Sequence, residues 1–138
     1  MGTAVYILGG SQTDFSRNWA REDLEVYDMF SEVLRDAILD AAIEPGQIEV
    51  GHVGNFVADL FAGQGLIGGF FGQVYPELAM LPTSRHEAAC ASGSMAVFGA
   101  MRDIEAGHYS TACVLGLELM RNVNGKTGAE YLGAATWK

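Results

Sequence analysis

Two cysteines in 138 residues, Cys90 and Cys113, are too few to staple a domain of this size. A reducing compartment, the cytoplasm, is the expectation. Prolines are scarce too, only three, so little of the chain is barred from regular structure. Eight Lys and Arg stand against seventeen Asp and Glu, a formal net charge of -9. That balance excludes a general nucleic-acid-binding surface, which needs concentrated positive charge. No apolar run is long enough to span a bilayer: the most apolar stretch, residues 60–71, is short and broken by Gln64. The start lacks the basic residues of a secretory leader. The three histidines and two cysteines show no metal-ligand spacing, so no metal site is expected. What remains is the composition of a packed globular domain, 49% hydrophobic and 18% charged, with 18 glycines.

Apolar patterning divides the chain into alternating elements. Val5, Tyr6, Ile7 and Leu8 predict a buried first strand over residues 4–8, ended by Gly9 and Gly10. A helix follows over residues 23–42, with Leu24, Tyr27, Leu34, Ile38 and Ala41 on one face and Glu22, Asp23 and Glu25 near its positive end. Residues 48–53 read as a second strand. Residues 56–71 read as helix with an internal loop, their glycines implying close backbone packing. Residues 84–89 form a third strand, residues 94–106 a helix closed by Gly107, and residues 111–115 a fourth strand ended by Gly116. Crossover helices between strands predict an α/β fold with a mostly parallel sheet between helices. In such folds functional residues gather beyond the carboxyl ends of the strands.

Cys90 sits at one of those ends. The run His86-Glu87-Ala88-Ala89-Cys90-Ala91-Ser92-Gly93-Ser94 places it where an extended segment of small residues enters an apolar helix. Free N–H groups and partial positive charge at a helix start favour thiolate over thiol. Small neighbours permit a sharp turn and close substrate approach, and backbone N–H groups nearby suit an oxyanion. Two readings stay open on these residues alone: a nucleophile, or a small hydrophobe filling a tight junction. Cys113, inside a strand, is expected in the core. His86 lies four residues before Cys90, about 13 Å along a strand, too far for a direct hydrogen bond to the thiol. It reads as a polar residue hydrogen-bonded in the sheet, and His52 and His108 as structural or surface residues. Asn55 ends a strand on the same side of the sheet as Cys90, and Glu118 reads as an anchor. Gly125-Lys126-Thr127 lacks the upstream glycine of a phosphate loop. Gly63, Gly65 and Gly68 match a dinucleotide spacing but follow no first strand.

The run from Glu87 to Ser94 resembles the nucleophile segment of the thiolase family, closest to its bacterial and archaeal sterol-carrier-protein-type branch. Val5-Tyr6-Ile7-Leu8-Gly9 is similar to the family's opening strand, Val53-Gly54-Asn55 to the end of its second, and residues 114–120 to the strand after the nucleophile helix. The resemblance implies an acyltransferase of fatty-acid metabolism that exchanges or condenses acyl groups between acyl-coenzyme A thioesters. Cys90 would be its catalytic acyl acceptor, with Asn55 and Gly93 as oxyanion or active-site support. Acyl-coenzyme A is then a substrate, and no cofactor is implied. Residues 1–121 correspond to a thiolase-like N-terminal core and residues 122–138 to the start of a loop excursion. The family's remaining catalytic histidine and second cysteine belong to a C-terminal repeat, and its last N-domain strand follows the excursion. The expectation is therefore an inactive N-terminal fragment or half, paired with a partner carrying the other half and dimerising around residues 84–89. A beta-ketoacyl synthase-type enzyme and a non-catalytic subunit are the alternatives.

Overall fold

The computed structural model describes residues 4–137. Its elements run α1 (Val26–Ala41), β1 (Val50–Gly54), α2 (Ala58–Phe61), α3 (Phe70–Val74), β2 (Thr83–His86), α4 (Ser92–Glu105), β3 (Ala112–Gly116) and α5 (Gly125–Leu132). Among the described residues the sheet has three strands in the order β2-β1-β3, all parallel. Helices α1 and α3 lie over one face and α4 over the other, a three-layer α/β arrangement.

Side-chain alternation along the strands explains the two layers. On β1, Val53 joins the core with α1 and α3, and Gly51 makes room for the Phe71 ring: a Cβ there would lie 2.6 Å from it. Between them, His52 and Gly54 face α4. Helix α1 buries Val26, Phe30, Leu34 and Ile38, a strict four-residue repeat. Phe30 meets Phe70 and Phe71 edge to face, at centroid separations of 5.5 and 5.0 Å. The face expected from the sequence shares only Leu34 and Ile38 with this fully buried stripe; Tyr27, also on it, packs at the edge of the core and meets Phe70 edge to face at 5.4 Å. On α4 the residues turned to the sheet are small: Ser92, Ala96 and Ala100 are buried, and Gly99 touches the β-strand side chains. Helix and sheet therefore approach closely.

The first expected strand is not one. Residues 4–8 pair with nothing among the described residues, and Tyr6, Ile7 and Leu8 are 77, 94 and 63% exposed. Apolar, β-branched composition gives strand propensity, but a strand exists only through a neighbour that completes its hydrogen bonds. The segment is instead held at its far end. Gly9 packs against the Ala41 backbone, where a Cβ would come within 2.6 Å. The Gly10 N–H donates to Asp40 (2.9 Å) and the Ser11 hydroxyl to the Val33 carbonyl (2.8 Å).

The glycine-rich stretch behaves as expected of close packing. Gly68 abuts the Thr83 side chain and Gly72 the Ala79 backbone, and no strand leads into the Gly63–Gly65–Gly68 spacing. Arg85, on the opposite side of β2 from Ser84 and His86, ties that stretch to the sheet through the Phe56 carbonyl (3.0 Å) and Asp59 (2.8 Å). The Gly125-Lys126-Thr127 run is the first turn of α5, with the Asn124 side chain accepting from the Thr127 N–H at 3.0 Å. The Asn124 side chain thus caps that helix start and satisfies the Thr127 N–H.

Candidate active site

All three strands end on one side of the molecule, and the ladder continues past them. The Asn55 N–H donates to the His86 carbonyl (3.1 Å) and the Leu117 N–H to the Gly54 carbonyl (3.1 Å). These bonds bring Asn55, the Cys90 turn and residues 116–118 together around one cavity of about 630 Å³. Its wall is largely apolar, with Phe15, Met29, Val33, Leu117 and Leu119 among the lining residues, and Cys90 opens onto it.

Cys90 is exposed, in a single 3₁₀ turn over Ala89–Ala91 that runs into α4. Ala89 has φ of +47°, a left-handed conformation that a non-glycine residue adopts only under constraint. The constraint is visible. Ser92, buried at the head of α4, accepts from the Ala88 N–H (2.9 Å) and donates to the Ala89 carbonyl (2.7 Å). Glu87 accepts from the Ala89 N–H at 2.6 Å. The sequence reading assigns Ser92 no role, although a hydroxyl two residues after a nucleophile candidate, at a helix start, is the type that captures free backbone groups. Ser92→Ala leaves two backbone groups of the turn without their partner, and should cost about 1–3 kcal/mol in urea unfolding. It should also slow Cys90 alkylation where the native turn aids it, whereas unchanged unfolding would show that water replaces the hydroxyl.

Three glycines bring the site's backbones together. A Cβ on Gly54 would lie 2.6 Å from the Gly93 Cα and 2.7 Å from both the Gly93 nitrogen and the Ser92 carbonyl oxygen. Gly116 lies alongside both. Gly93 thus contributes closeness between β1 and α4 directly behind the Cys90 turn.

Asn55 is 1% exposed, and its side chain is committed at both ends. Its amide nitrogen donates to the Leu117 carbonyl (2.9 Å) and to Glu118 (3.0 Å), while its oxygen accepts from the Ala58 N–H (3.1 Å). Glu118 accepts in addition from the Phe56 N–H (2.8 Å) and the Val57 N–H (3.2 Å). The pair clamps the loop after β1 to the loop after β3, the anchor expected of Glu118. Asn55 acts on the cavity by holding its wall.

Cys113 is the core residue the sequence predicts: it packs against the hydrophobic cluster, and burial pushes its thiol up to about 12. Brief alkylation at neutral pH should mark Cys90 and spare Cys113, as peptide mass mapping can verify. His86 turns away from the cysteine. Its Nε2 lies 2.9 Å from His52 Nδ1, with the Ser84 hydroxyl 2.9 Å from the former and 3.1 Å from the latter. His52 is buried, and its Nε2 is 3.1 Å from the Asp103 carboxylate. Burial first, then the neighbouring His86, lowers the His52 pKa from 6.5. The unfolded chain therefore binds the proton more readily, so this contribution is complete above about pH 6.5 and is lost as pH falls below it. Urea midpoints should decline as the pH falls below about 6.5, and a flat profile there would contradict the assignment.

Comparison with known proteins agrees with this fold. The family model for the thiolase N-terminal domain matches residues 5–136. A protein of Methanothermobacter thermautotrophicus named acetyl-CoA acetyltransferase is 34% identical over 125 residues, 91% of this chain and 32% of its own length. One of the same name from Methanocaldococcus jannaschii is also 34% identical over 125 residues, 91% of this chain and 31% of its own. The chain spans about a third of the length of the curated relatives it matches. With a three-layer α/β fold and an exposed cysteine turn at the carboxyl edge of its sheet, the chain belongs to the thiolase family, matching its N-terminal domain.

Proposed function

We propose that this chain supplies the acyl-accepting half of a thiolase-like acyltransferase acting on acyl-coenzyme A, with Cys90 as the nucleophile. The observation that carries the reading is the placement of Cys90: exposed, on a braced turn at the head of α4, facing a 630 Å³ apolar-walled cavity. In the first half-reaction the Cys90 thiolate attacks the thioester carbonyl. A new C–S bond forms at Sγ, the bond to coenzyme A breaks, and coenzyme A leaves as a thiolate that takes up a proton. The acyl chain would lie along the apolar wall, while N–H groups at the turn face the developing oxyanion. Asn55 and Gly93 support the site by fixing its walls. No further cofactor takes part in this scheme.

Deprotonation of a second acyl-coenzyme A and its attack on the acyl-cysteine need an acid/base group beside the thiol. Neither His86 nor Cys113 faces Cys90, so we assign that step to a partner carrying the C-terminal thiolase half, within a dimer formed around β2. Residues 122 onward are assigned to the start of the excursion that precedes the family's last N-domain strand. No helix among the described residues is long and apolar enough to cross a membrane, and the reaction is assigned to the cytoplasm. The relatives named acetyl-CoA acetyltransferase favour this reading over a beta-ketoacyl synthase. Incubation with acetyl-coenzyme A, with the C-terminal half supplied, should leave an acetyl group on Cys90 in the peptide mass map. An unmodified Cys90 under those conditions would point to a non-catalytic subunit.

A further inference from the structure

A second polar cluster sits beneath α4, outside the cavity lining, and the acyl-transfer reading makes no use of it. Its two histidines are 34 residues apart, so spacing along the chain shows no metal-ligand motif. Strand register brings them together. His52 on β1 stands opposite Ser84 on β2, and Gly54 opposite His86, so alternation puts His52, Ser84 and His86 on one face of the sheet, towards α4. There His52 Nδ1, His86 Nε2 and the Ser84 hydroxyl oxygen form a triangle. The nitrogens are 2.9 Å apart, and the oxygen lies 2.9 Å from His86 and 3.1 Å from His52.

Hydrogen bonds serve this triangle poorly. A neutral imidazole nitrogen either donates or accepts, never both, and a hydroxyl has a single hydrogen. Two such nitrogens and one oxygen in mutual contact can make two well-directed bonds, and the third side is left without one. Three lone pairs turned to one cation account for all three sides. Ligands about 2.1 Å from a metal lie about 3.0 Å apart at right angles and about 3.4 Å apart at tetrahedral angles. The observed edges of 2.9, 2.9 and 3.1 Å are those of right-angled, octahedral or tetragonal coordination. Imidazole nitrogen and hydroxyl oxygen in that geometry suit nickel(II) or copper(II), whereas tetrahedral zinc would need wider edges.

The surroundings fit a metal as well. With Nδ1 as ligand, His52 carries its hydrogen on Nε2, and the Asp103 carboxylate lies 3.1 Å from that atom. Nε2 is buried and makes no well-directed hydrogen bond as it stands, so a small turn of the ring completes the pair. A carboxylate behind a ligating imidazole fixes its tautomer and raises its basicity. Gly99 of α4 keeps the space beside both ring nitrogens clear, since a Cβ there would lie 3.0 Å from each. Ser84 is exposed and His86 half-buried on the edge strand β2, which gives a cation a way in and leaves its further positions to water. We propose that His52 Nδ1, His86 Nε2 and the Ser84 hydroxyl form one triangular face of a site for a first-row transition-metal dication of the nickel or copper class, with Asp103 orienting His52. The site ties β1 and β2 to α4, and takes no part in acyl transfer.

Nickel(II) chloride, titrated into the untagged and chelator-stripped chain at neutral pH, tests the site, with bound metal counted after dialysis. About one nickel per chain should be retained. Its paramagnetism should broaden the imidazole signals of His52 and His86 and spare those of His108. His86→Ala should weaken uptake at least about 100-fold, and Asp103→Asn by about 10–100-fold. Nickel should raise the urea midpoint of the unaltered protein and leave that of His86→Ala in place. Cys90→Ala should keep full uptake, which separates this site from nickel held by the exposed thiol, and its fate from that of the acyl-transfer reading. No retention, or about half a nickel per chain, overturns the proposal. Uptake unchanged in His86→Ala, or broadening at His108 in place of the pair, overturns it too. Should His86→Ala not fold, Ser84→Ala removes one ligand at an exposed position and, with the ring broadening of the unaltered protein, decides.

Discussion

Cys90→Ser, assayed with the C-terminal half present, is expected to lower acyl transfer from acyl-coenzyme A by at least about 1,000-fold. The side chain keeps its shape and its place on the turn, so the loss reports chemistry and not folding. A few per cent of ordinary thiol is already thiolate at pH 7, whereas an alcohol is ionised to a negligible extent and needs a base at its oxygen. None is positioned for that role among the described residues: His86 is paired with His52. Coenzyme A release and mass mapping of the acyl adduct should fall together, with the urea midpoint unchanged. A serine variant that still turns over at a tenth of the normal rate would remove Cys90 from the mechanism.

Gly54→Ala is expected to cost about 2–4 kcal/mol and the site with it. The new Cβ would meet Gly93 Cα at 2.6 Å and the Ser92 carbonyl oxygen at 2.7 Å, all backbone atoms with no rotamer to yield. Either β1 or the head of α4 must shift, and the Cys90 turn is built on that head. Gly46→Ala is the matched control. It adds the same methyl with nothing within 4 Å, in the Pro45–Gln47 turn, and should be neutral or stabilising by about 0.4–1 kcal/mol. Urea unfolding of the two variants separates a collision at the site from a general dislike of alanine for glycine. Equal midpoints would show that β1 and α4 can part at little cost.

Local chemistry made much of this legible before any coordinates. The expected ends of the Cys90 helix, residues 94 and 106, fall close to those observed, Ser92 and Glu105, because Gly107 takes a positive φ of 75° just past the last turn. Strands β1 and β3 fall within a residue or two of their expected positions, since each is a short, mostly apolar run that ends at a glycine, Gly54 or Gly116. Errors arose where a partner distant in sequence decides. Residues 4–8 have strand composition and no strand beside them. Within residues 122–138, expected as the start of a loop excursion, helix α5 also depends on such a partner: Asn124 caps it and Tyr131 stacks edge to face on Phe61 at 5.1 Å.

The site divides the same way. By itself the sequence determined that Cys90 stands at a strand-to-helix turn lined with small residues, since residue type and chain position fix that much. It also carried the resemblance to the thiolase family, chiefly through the residues from Glu87 to Ser94, which the family match over residues 5–136 bears out. Only the tertiary structure decided what surrounds the cysteine. Asn55 meets Glu118 across 63 residues and His52 meets His86 across 34, contacts set by strand order and register and by no local periodicity. The parallel order β2-β1-β3 delivers all three carboxyl ends to one side, and the alternation along β1 then sends His52 and Gly54 to the helix that carries Cys90 and Gly51 and Val53 to the core. A side chain's type is local information; the group it faces depends on which strand becomes its neighbour.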